Sequence, residues 1–490
     1  MLRRASVVVL LGLTVAPPVA GQSRRTRIDR LLDAPPFDRA SWGVVLTDSA
    51  GRVLYARNAD RLFVPASNTK LVVTATASAL LPPDFRLETR IYAGGPVDSG
   101  TLHGDLIVYG GGDPTFSERC YGTDTLALGA CDRAWSRLEA LADSVYATGI
   151  RHVTGAIVGD GSAFDAQFLH PDWDTYDVNW WYGSPVGGLG INDNAIDITW
   201  APGVAVDAPA RISYTPDVGL IRLENRTRTT DSGSATTIDF FRQPGSLDLW
   251  AEGTVASSSR GRTEHFALPD PNLYFAAALR GTLARRGVSV AGPTRSTTDS
   301  MAYHVTRNAA PLVRFPSRNR EDLIFPILNT SQNWFAEMLL KSLGRRYGTA
   351  GSWAEGLAVE RRFLIDSVGV DSAASSLSDG SGLSASNLVS PSAFARLLRY
   401  MWAHPQREGF LRALPRSGRI GSLRTRFVGT ALEGRVVAKT GSIRHVNSLS
   451  GYIERDRGGP LVFSIIANNH TVPGGQMLRQ IDSIVVQMGR

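Results

Sequence analysis

Apolar and polar positions alternate near the start of the chain and predict a β-hairpin followed by a helix. Residues 42–55 alternate on both sides of a Ser-Ala-Gly turn, as the two strands of a hairpin do. A helical apolar run then begins near Ala66 or Ser67 and ends before Pro82, because proline cannot continue a helix. The pattern therefore places Ser67 at a helix N-terminus.

The middle of the chain has a different pattern, in which short strand-like segments alternate with turns rich in glycine, proline, aspartate and asparagine. This pattern extends from about residue 85 to 293. Residues 206–266 alternate as strands throughout, and helices are predicted on either side of them at 134–148 and 274–286. The middle is therefore predicted to be rich in β-structure.

Beyond residue 311 the apolar spacing returns to the period of a helix and later to that of a strand. Three helices are predicted, at 327–343, 353–368 and 391–402. Three strands follow at 435–440, 448–454 and 461–468, before a last helix at 475–488. Both ends of the chain thus supply strands and helices.

These elements predict an α/β (α+β) fold in which both ends of the chain form one domain around a large insertion. We expect that domain to comprise residues 22–85 and 305–490. The insertion would form a second domain over 86–205 and 267–304, with a β-rich subdomain at 206–266 nested in it.

The amino-acid composition indicates the class of protein and the class of partner. With 490 residues, of which 43% are apolar and 20% charged, the chain can form two or three globular domains. The net charge of +7 favours an anionic partner, such as a cell-wall polymer or a membrane surface in peripheral contact. The basic residues are scattered rather than clustered, so no nucleic-acid partner is predicted.

Two features indicate export. Residues 1–21 begin with Arg3 and Arg4, continue with an apolar run and end in small residues, as a secretory signal peptide does. A retained membrane anchor is the alternative, although the run is shorter than the about 20 residues that span a bilayer. We therefore expect an exported protein of the periplasm or cell envelope. In that oxidising compartment Cys120 and Cys131 are expected to form a disulfide, with two buried free thiols as the alternative.

Lysine is rare in this chain, and the positions of the lysines indicate candidate catalytic residues. The sequence has three lysines, Lys70, Lys341 and Lys439, among 52 basic residues. A buried lysine can lose its proton, whereas arginine cannot, so rare lysines are candidates for proton transfer. Lys341 stands four residues after Glu337 on a predicted helix, and we interpret the two as an ion pair. Lys70 and Lys439 each lie in a motif.

The first motif is Ser67-Asn68-Thr69-Lys70, at the predicted helix start. Positions i and i+3 share one face of a helix, which brings the Lys70 amine within reach of the Ser67 hydroxyl. A helix N-terminus also favours the negative charge that develops there. Ser67 is therefore a candidate nucleophile and Lys70 its base. The alternative is a helix-capping serine beside a solvated lysine.

The second motif is Lys439-Thr440-Gly441-Ser442, in a predicted strand. Lys439 and Gly441 would point to one face and Thr440 to the other. Gly441 leaves room for a substrate backbone beside the strand, and the Ser442 amide could join that of the nucleophile in an oxyanion hole. Lys439 would bind a substrate carboxylate and lower the pKa of the first motif's lysine. An ordinary surface turn is the alternative.

Ser331-Gln332-Asn333 lies between these motifs, at the start of a helical stretch. The Ser331 hydroxyl could relay a proton between Lys70 and a leaving amine, and the Asn333 amide could hold the substrate backbone. A serine at such a place is more often only a helix cap. The order of the three motifs makes the combination specific.

In these residues the chain resembles the penicillin-recognising serine enzymes, whose three motifs occur in this order. The long interval between Ser67 and Ser331 narrows the resemblance to the type-4 low-molecular-mass (class C) penicillin-binding proteins, the D-alanyl-D-alanine carboxypeptidase/endopeptidase family. The stretches PASNTK, IVGDGSAFD, SPVGGLGINDNAI, LSDGSGLSASNLVSP and FSIIANNH agree with it. The resemblance therefore covers nearly the whole mature chain.

The resemblance implies a transpeptidase-like domain, with an antiparallel sheet flanked by helices, and one or two inserted domains beside the cleft. The implied site residues are Ser67, Lys70 and Ser331 for catalysis and Asn333, Lys439, Thr440, Gly441 and Ser442 for substrate binding. Asp160, in GDGSAF, stands where family members place an acidic group near the diamino-acid side chain of the substrate. A plain turn aspartate is the alternative there.

The sequence departs from the family pattern at two places, and both departures bear on which substrate the protein prefers. Ala385 follows DGSGLS, where the family has a basic residue. Arg444 and His445 follow the third motif, where the family has a small polar stretch. Our hypothesis is that Arg444 binds the anion that the missing basic residue would bind.

The implied reaction is acyl transfer in two steps. Ser67 attacks the penultimate D-Ala of a peptidoglycan stem peptide, the terminal D-Ala or a cross-linked amine leaves, and water releases the acyl-enzyme. β-Lactams should acylate the same serine. No metal or other cofactor is predicted, since no His/Cys set has zinc spacing. A β-lactamase or esterase on this scaffold and a non-catalytic wall-binding module are the alternatives, and the sequence does not specify an oligomeric state.

Overall fold

The computed structural model describes residues 23–117 and 135–490. The predicted signal segment at 1–21 and the predicted pairing of Cys120 with Cys131 lie outside the described residues and stay predictions.

The strands of the described residues run throughout the chain. They are β1 (Ser41–Asp48), β2 (Val53–Arg57), β3 (Glu88–Ala93), β4 (Val97–Asp98), β5 (Thr101–Leu102), β6 (Leu106–Gly110), β7 (His152–Val153), β8 (Ile157–Asp160), β9 (Ala195–Ala201), β10 (Arg211–Thr215), β11 (Arg222–Thr230), β12 (Asp239–Arg242), β13 (Asp248–Ala256), β14 (Arg262–Ala267), β15 (Ser289–Val290), β16 (Thr294–Thr297), β17 (Val313–Pro316), β18 (Ser375–Ser376), β19 (Leu388–Val389), β20 (Val436–Ile443), β21 (Val446–Ile453) and β22 (Leu461–Asn468).

The helices concentrate near the two ends. They are α1 (Arg24–Leu32), α2 (Lys70–Leu80), α3 (Ser136–Ala147), α4 (Pro271–Arg285), α5 (His304–Arg307), α6 (Arg320–Asn329), α7 (Asn333–Tyr347), α8 (Trp353–Arg362), α9 (Pro391–Ala403), α10 (Arg407–Ala413) and α11 (Gly474–Gly489). Within residues 23–117 and 135–490, no helix has both the length and the apolar character needed to cross a membrane.

A five-stranded antiparallel sheet joins the two ends of the chain. Its strand order is β2-β1-β22-β21-β20, so the N-terminal hairpin pairs through β1 with the last strand. Every residue of β21 and β22 is buried, as expected of central strands that are covered on both faces. Strand β20 forms one edge of this sheet and carries motif residues 439–442.

Helices cover both faces of this sheet because its strands are apolar on both sides. On one face α1 and α11 bury residues such as Ile28 and Ile481 against the strands. On the other face the core includes Leu71 of α2 and Leu397 of α9. Each fully buried aliphatic side chain of this kind contributes about 1.5–3 kcal/mol relative to exposure. The second of these cores fixes α2, and with it the first motif, against the sheet.

The middle of the chain builds further sheets. Their orders are β16-β8-β6-β3-β17, β15-β7-β5-β4, β10-β9-β14 and β11-β13-β12. They share a separate apolar core with α3 and α4, which includes Leu141 and Phe275. The predicted α/β (α+β) fold class is confirmed. Because β17 pairs with β3, the first of these sheets reaches past the expected domain boundary at residue 304.

The single helix predicted over 327–343 is wrong, because the chain breaks there into α6 and α7. Ser331, between the two helices, has a φ of 66°, in the left-handed region that a continuing helix does not use. Apolar residues keep a helical spacing across the break, so the pattern alone joins the two helices. The break places Asn333 at the first turn of α7.

Candidate active site

Ser67 lies in a short 3-10 turn that leads into α2. The turn spans Ala66–Thr69, and Ser67 is its only residue that is not buried. Ala66 has a φ of 49°, and Gly382 packs so closely on the Ala66 carbonyl oxygen that a Cβ at position 382 would collide with it. The contact with Gly382 thus holds the turn, and Ser67 lines an open cleft.

The Lys70 amine is buried directly behind the Ser67 hydroxyl. Its Nζ makes hydrogen bonds with Ser67 Oγ at 2.9 Å, Asn333 Oδ1 at 2.6 Å and the Ser381 carbonyl oxygen at 2.6 Å. Burial lowers the pKa of Lys70 to about 7, although the negative charges of Asp379 and Glu337 oppose that shift. Near neutral pH a large fraction of Lys70 is therefore uncharged.

The partners of Lys70 orient its lone pair. The amide oxygen of Asn333 and the carbonyl oxygen of Ser381 can only accept hydrogen bonds, whereas the Ser67 hydroxyl can also donate. Asn333 is itself oriented, because its Nδ2 donates to the Tyr182 carbonyl oxygen over 2.7 Å. When Lys70 is neutral, its two hydrogens go to the two acceptors and its lone pair faces the hydroxyl of Ser67.

Ser331 and Lys439 form a second pair beside this one. Lys439 Nζ donates to Ser331 Oγ over 2.8 Å and to the Thr440 carbonyl oxygen over 2.8 Å. Burial, followed by the charge of Lys70, lowers the pKa of Lys439 well below its usual value. Burial is the main cause of the lowered pKa of Lys70, and the expectation that Lys439 also lowers it stays a prediction. The buried amine of Lys439 holds the Ser331 hydroxyl.

Strand β20 passes very close to Ser67 at Gly441. A Cβ at this position would lie 2.7 Å from the Pro65 carbonyl oxygen and 3.0 Å from the Ser67 amide nitrogen. Ser448, opposite Gly441 on β21, donates to the same Pro65 oxygen over 2.7 Å. The protein's own backbone therefore requires glycine here, which corrects the expectation that the space receives a substrate backbone.

Thr440 and Ser442 point away from the buried lysines. Thr440 Oγ1 is 2.8 Å from Ser422 Oγ, and Asn447 Nδ2 donates to Ser442 Oγ over 2.7 Å. Ser442 is exposed and lines the cleft together with Ser67 and Asn333. The Ser442 side chain is thus within reach of a ligand bound in the cleft, and Thr440 does not line it.

The loop at residues 379–384, quoted above only as part of the family resemblance, packs against Lys70 and the turn that carries Ser67. Asp379 is fully buried and accepts hydrogen bonds from the Gly382 and Ser384 amides, at 2.7 Å each, and from Trp173 Nε1 at 2.9 Å. Buried carboxylates are stable when several N–H groups surround them in this way. Asp379 therefore shapes the loop whose Ser381 carbonyl accepts a hydrogen bond from Lys70.

The expected ion pair between Glu337 and Lys341 is wrong. Lys341 Nζ contacts Asp165 Oδ1 at 2.7 Å and lies 3.7 Å from the ring centre of Trp353. Glu337 turns to the loop instead and accepts from the Ser381 amide over 2.7 Å. Tertiary contacts have overridden the helical spacing that suggested the pair.

The site opens into a cleft of about 780 Å³ between the three motifs and the inserted part of the chain. Ser67, Asn333, Ser442 and Arg444 line one side. A segment rich in acidic and aromatic residues lines the other, with Asp172, Trp173, Asp174, Tyr176, Asp177 and Tyr182. In the sequence, the only local mark of this side of the cleft is the acidic and aromatic composition of DWDTYDVNWWYG. In the described ranges, no three His, Cys, Asp or Glu side chains gather as metal ligands.

Asp160 lies apart from this cleft. Its side chain is fully buried, forms an ion pair with Arg307 and accepts from the Ser162 amide over 3.0 Å. A carboxylate enclosed in this way has no surface for a ligand, so the expected contact between Asp160 and a substrate is not made here. The acidic side chains that do line the cleft include Asp177.

Arg444 is exposed at the cleft, and so is Ala385, where a basic residue was expected. Burial raises the pKa of Asp177, while a hydrogen bond from Tyr182 and the positive charge of Arg444 oppose that shift. The Tyr182 hydroxyl donates to Asp177 Oδ1 over 3.1 Å. One end of the cleft thus offers a guanidinium and a carboxylate close together.

Known proteins are similar in sequence to this chain over nearly its whole length. The profile of the D-Ala-D-Ala carboxypeptidase 3 (S13) family matches residues 24–488. A D-alanyl-D-alanine carboxypeptidase of Actinomadura sp. (strain R39) is 31% identical over 98% of this chain and 87% of its own length. The D-alanyl-D-alanine carboxypeptidase DacB of Haemophilus influenzae is 24% identical over 84% of this chain and 81% of its own length.

A solved structure shares the fold. The crystal structure of penicillin binding protein 4 (dacB) from Haemophilus influenzae matches with a TM-score of 0.80 at 22% identity, over 94% of this chain and 97% of that chain. On the strength of the family match over residues 24–488, the chain belongs to the D-Ala-D-Ala carboxypeptidase 3 (S13) family.

Proposed function

We propose that this chain, a D-alanyl-D-alanine carboxypeptidase by family, cuts D-alanyl bonds of peptidoglycan through an acyl-enzyme on Ser67. The observation that carries the proposal is the 2.9 Å contact between Ser67 Oγ and the buried Lys70 amine, whose pKa is about 7. A hydroxyl beside a neutral amine is an activated nucleophile. The strained amide of a β-lactam mimics the acyl donor and is expected to acylate the same oxygen.

Acylation requires two proton transfers. Lys70 takes the Ser67 proton as Oγ attacks the carbonyl carbon of the penultimate D-Ala, and the bond from that carbon to the leaving nitrogen then breaks. The leaving amine needs a proton, which the Ser331 hydroxyl relays from Lys70. Ser331 is held for this role by Lys439 Nζ at 2.8 Å. Water finally hydrolyses the ester and restores Ser67.

The charge on the tetrahedral intermediate needs backbone donors. The amides of Ser67 and Ser442 are the proposed oxyanion hole, and strand β20 approaches the nucleophile closely enough at Gly441 for both to act together. Removing one such donor from an oxyanion hole typically slows acylation about 10²–10³-fold. Carboxypeptidase and endopeptidase action use the same groups and differ only in whether free D-Ala or a cross-linked amine leaves.

Labelling with a fluorescent penicillin tests the nucleophile. The purified chain should form one stable adduct, which peptide mass mapping places on Ser67. Ser67→Ala should form none, whereas Ser483→Ala, on the outer surface of α11, should label normally. An adduct on another residue, or equal labelling of Ser67→Ala, would refute the proposal. Absence of any adduct with rapid loss of intact penicillin would indicate a β-lactamase instead.

The charged end of the cleft is proposed to recognise the diamino-acid side chain of the stem peptide. Arg444 would bind the carboxylate of that side chain, because position 385 carries Ala385 and not a basic residue. Asp177, which lines the cleft, would bind the ammonium group of the side chain, in place of Asp160. Such exposed contacts are made equally in the ground and transition states, so they affect KM more than kcat.

Arg444→Ala tests this assignment by steady-state kinetics on a stem peptide. KM should rise about 5–10-fold with kcat nearly unchanged, since an exposed charge-assisted contact is worth about 1 kcal/mol. Arg435→Ala removes an exposed arginine paired with Asp456 instead and should leave KM unchanged. Unchanged kinetics in Arg444→Ala would remove the assignment.

We also propose that the chain is exported and works in the periplasm or cell envelope, in peripheral contact with the wall. The support is the apolar run within residues 1–21 and a family that acts on cell-wall peptides. Cell fractionation with N-terminal sequencing of the mature chain tests it. A cytoplasmic protein that keeps residues 1–21 would contradict it.

A further inference from the structure

We propose that Glu337 is a positioning residue for the general base. Its carboxylate fixes the loop whose Ser381 carbonyl holds the Lys70 amine, and its charge stabilises the ammonium that forms during acylation. The inference rests on the proposed role of Lys70. Glu337 is fully buried and does not line the cleft, so it acts through other residues rather than on the substrate.

The hydrogen bonds of Glu337 lead directly to the base. Its Oε1 accepts from the Ser381 amide over 2.7 Å, and its Oε2 accepts from the Gly380 amide over 3.0 Å and from Trp353 Nε1 over 2.8 Å. The carbonyl of the same Ser381 lies 2.6 Å from Lys70 Nζ. One peptide segment thus connects the carboxylate with the amine, and two buried amides would lose their acceptor without Glu337.

Helix α7 presents a second contact to Lys70 from the same face. Asn333 and Glu337 are four residues apart in this helix, so they lie on one face, one turn above the other. Asn333 Oδ1 contacts Lys70 Nζ at 2.6 Å. The helix therefore holds both acceptors of the amine, one directly and one through the loop.

Among the charged groups around Glu337, Lys70 is the one on which the negative charge of Glu337 acts. The groups that face it are Lys70 from α2, Asp379 from the loop, Glu360 from α8 and Lys341 from its own helix. Lys341 is already paired with Asp165, and Glu360 has no hydrogen-bond partner among the described residues. Burial and the negative charges of Glu337 and Asp379 raise the pKa of Glu360 well above its usual value, which keeps it neutral.

The hydrogen bonds of Glu337 favour its carboxylate form. Burial and the nearby charge of Asp379 raise its pKa to about 7, while its three N–H donors favour the carboxylate. Above that pH the negative charge makes Lys70 a stronger base. Removing this negative charge should lower the pKa of Lys70. The pH at which the acylation rate reaches half its maximum should then fall, and the maximum rate itself should fall as well.

The test compares pH profiles of acylation for the full mature chain. The second-order rate constant for a fluorescent penicillin is measured from pH 5 to 9.5 and normalised to the final amount of Ser67 adduct, which counts only folded molecules. In Glu337→Gln the midpoint should fall by about one pH unit, and the plateau should fall by about 10-fold or more, because the base is weaker and less firmly held.

Two further variants separate charge from structure. Glu360→Gln makes the same change at an equally buried carboxyl without hydrogen bonds to the loop, and it should keep both the wild-type midpoint and the wild-type plateau. Glu337→Asp keeps the charge on a shorter side chain, so its midpoint should stay near the wild-type value while its plateau falls. This variant remains informative where Glu337→Gln fails to fold.

The outcomes are distinguishable. A Glu337→Gln profile that superimposes on the wild-type profile, or a Glu337→Asp profile with an unchanged plateau, would overturn the inference while leaving the role of Lys70 intact. A shift of the same size in Glu360→Gln would also overturn it, because any buried carboxyl would then act alike. A wild-type protein that forms no adduct on Ser67 would instead overturn the proposed function.

Discussion

Replacing Lys70 by arginine tests whether a neutral amine drives acylation. Arginine keeps the positive charge and a similar length, but its guanidinium does not lose a proton in proteins. A lysine at its usual pKa is neutral in roughly one molecule in 10³ at pH 7. Burial lowers the pKa of Lys70 to about 7, which makes about half of the molecules neutral. Lys70→Arg should therefore lose about 10³-fold in acylation rate at pH 7, within the range that general bases supply.

The assay is the rate of fluorescent-penicillin labelling as a function of pH. The wild-type rate should rise tenfold per pH unit up to a midpoint near 7 and then level off, since only neutral Lys70 can accept the proton. Lys341→Arg is the matched control, because it makes the same change at another buried lysine whose partner is Asp165. It should label at nearly the wild-type rate.

Two results would refute this reasoning. One is a folded Lys70→Arg protein, as judged by thermal unfolding, that labels within about threefold of wild type. The other is a wild-type rate that does not change between pH 5 and 8, because a base of pKa about 7 must titrate in that range.

Three other predictions concern the site and its support. Gly441→Ala places a Cβ 2.7 Å from the Pro65 carbonyl oxygen; thermal unfolding should show a loss of about 1–3 kcal/mol, with slower labelling. Ser331→Ala removes the hydroxyl that Lys439 holds at 2.8 Å; hydrolysis of a stem peptide should slow about 10²-fold. Glu360 has a folded-state pKa well above 4.5, so stability should fall as pH rises above about 4.5; Glu360→Gln should weaken that dependence in unfolding measured from pH 4 to 8.

The contact between Ser67 and Lys70, the proposed catalytic pair, was predictable because its geometry is local. Ser67 and Lys70 are three residues apart at the start of a helical run, and any helical turn brings such side chains together, as the 2.9 Å contact shows. The proximity of Ser331 to Lys439 was predictable only through the family resemblance, since these residues lie far apart in the sequence. The break before α7 was missed, because apolar spacing does not encode the positive φ of Ser331.

The residues around the pair could not be assigned from short-range pattern. The spacing of Glu337 and Lys341 suits an ion pair. In the structure the Glu337 carboxylate instead accepts hydrogen bonds from two buried backbone amides of the loop. Asp160 stands in a motif typical of the family, yet an ion pair with Arg307 encloses it. Asp177 lies in a segment without strand or helix period, so only the tertiary fold brings it to the cleft.

Titrating D-Ala release against modification of Ser67 shows whether this serine carries the reaction. The enzyme is treated with increasing amounts of penicillin, the fraction of Ser67 carrying the adduct is measured by mass spectrometry, and D-Ala release from a stem pentapeptide ending in D-Ala-D-Ala is measured on the same samples. We predict that activity falls in direct proportion to the modified fraction and reaches zero at one adduct per molecule. Undiminished D-Ala release from protein fully modified at Ser67 would contradict it.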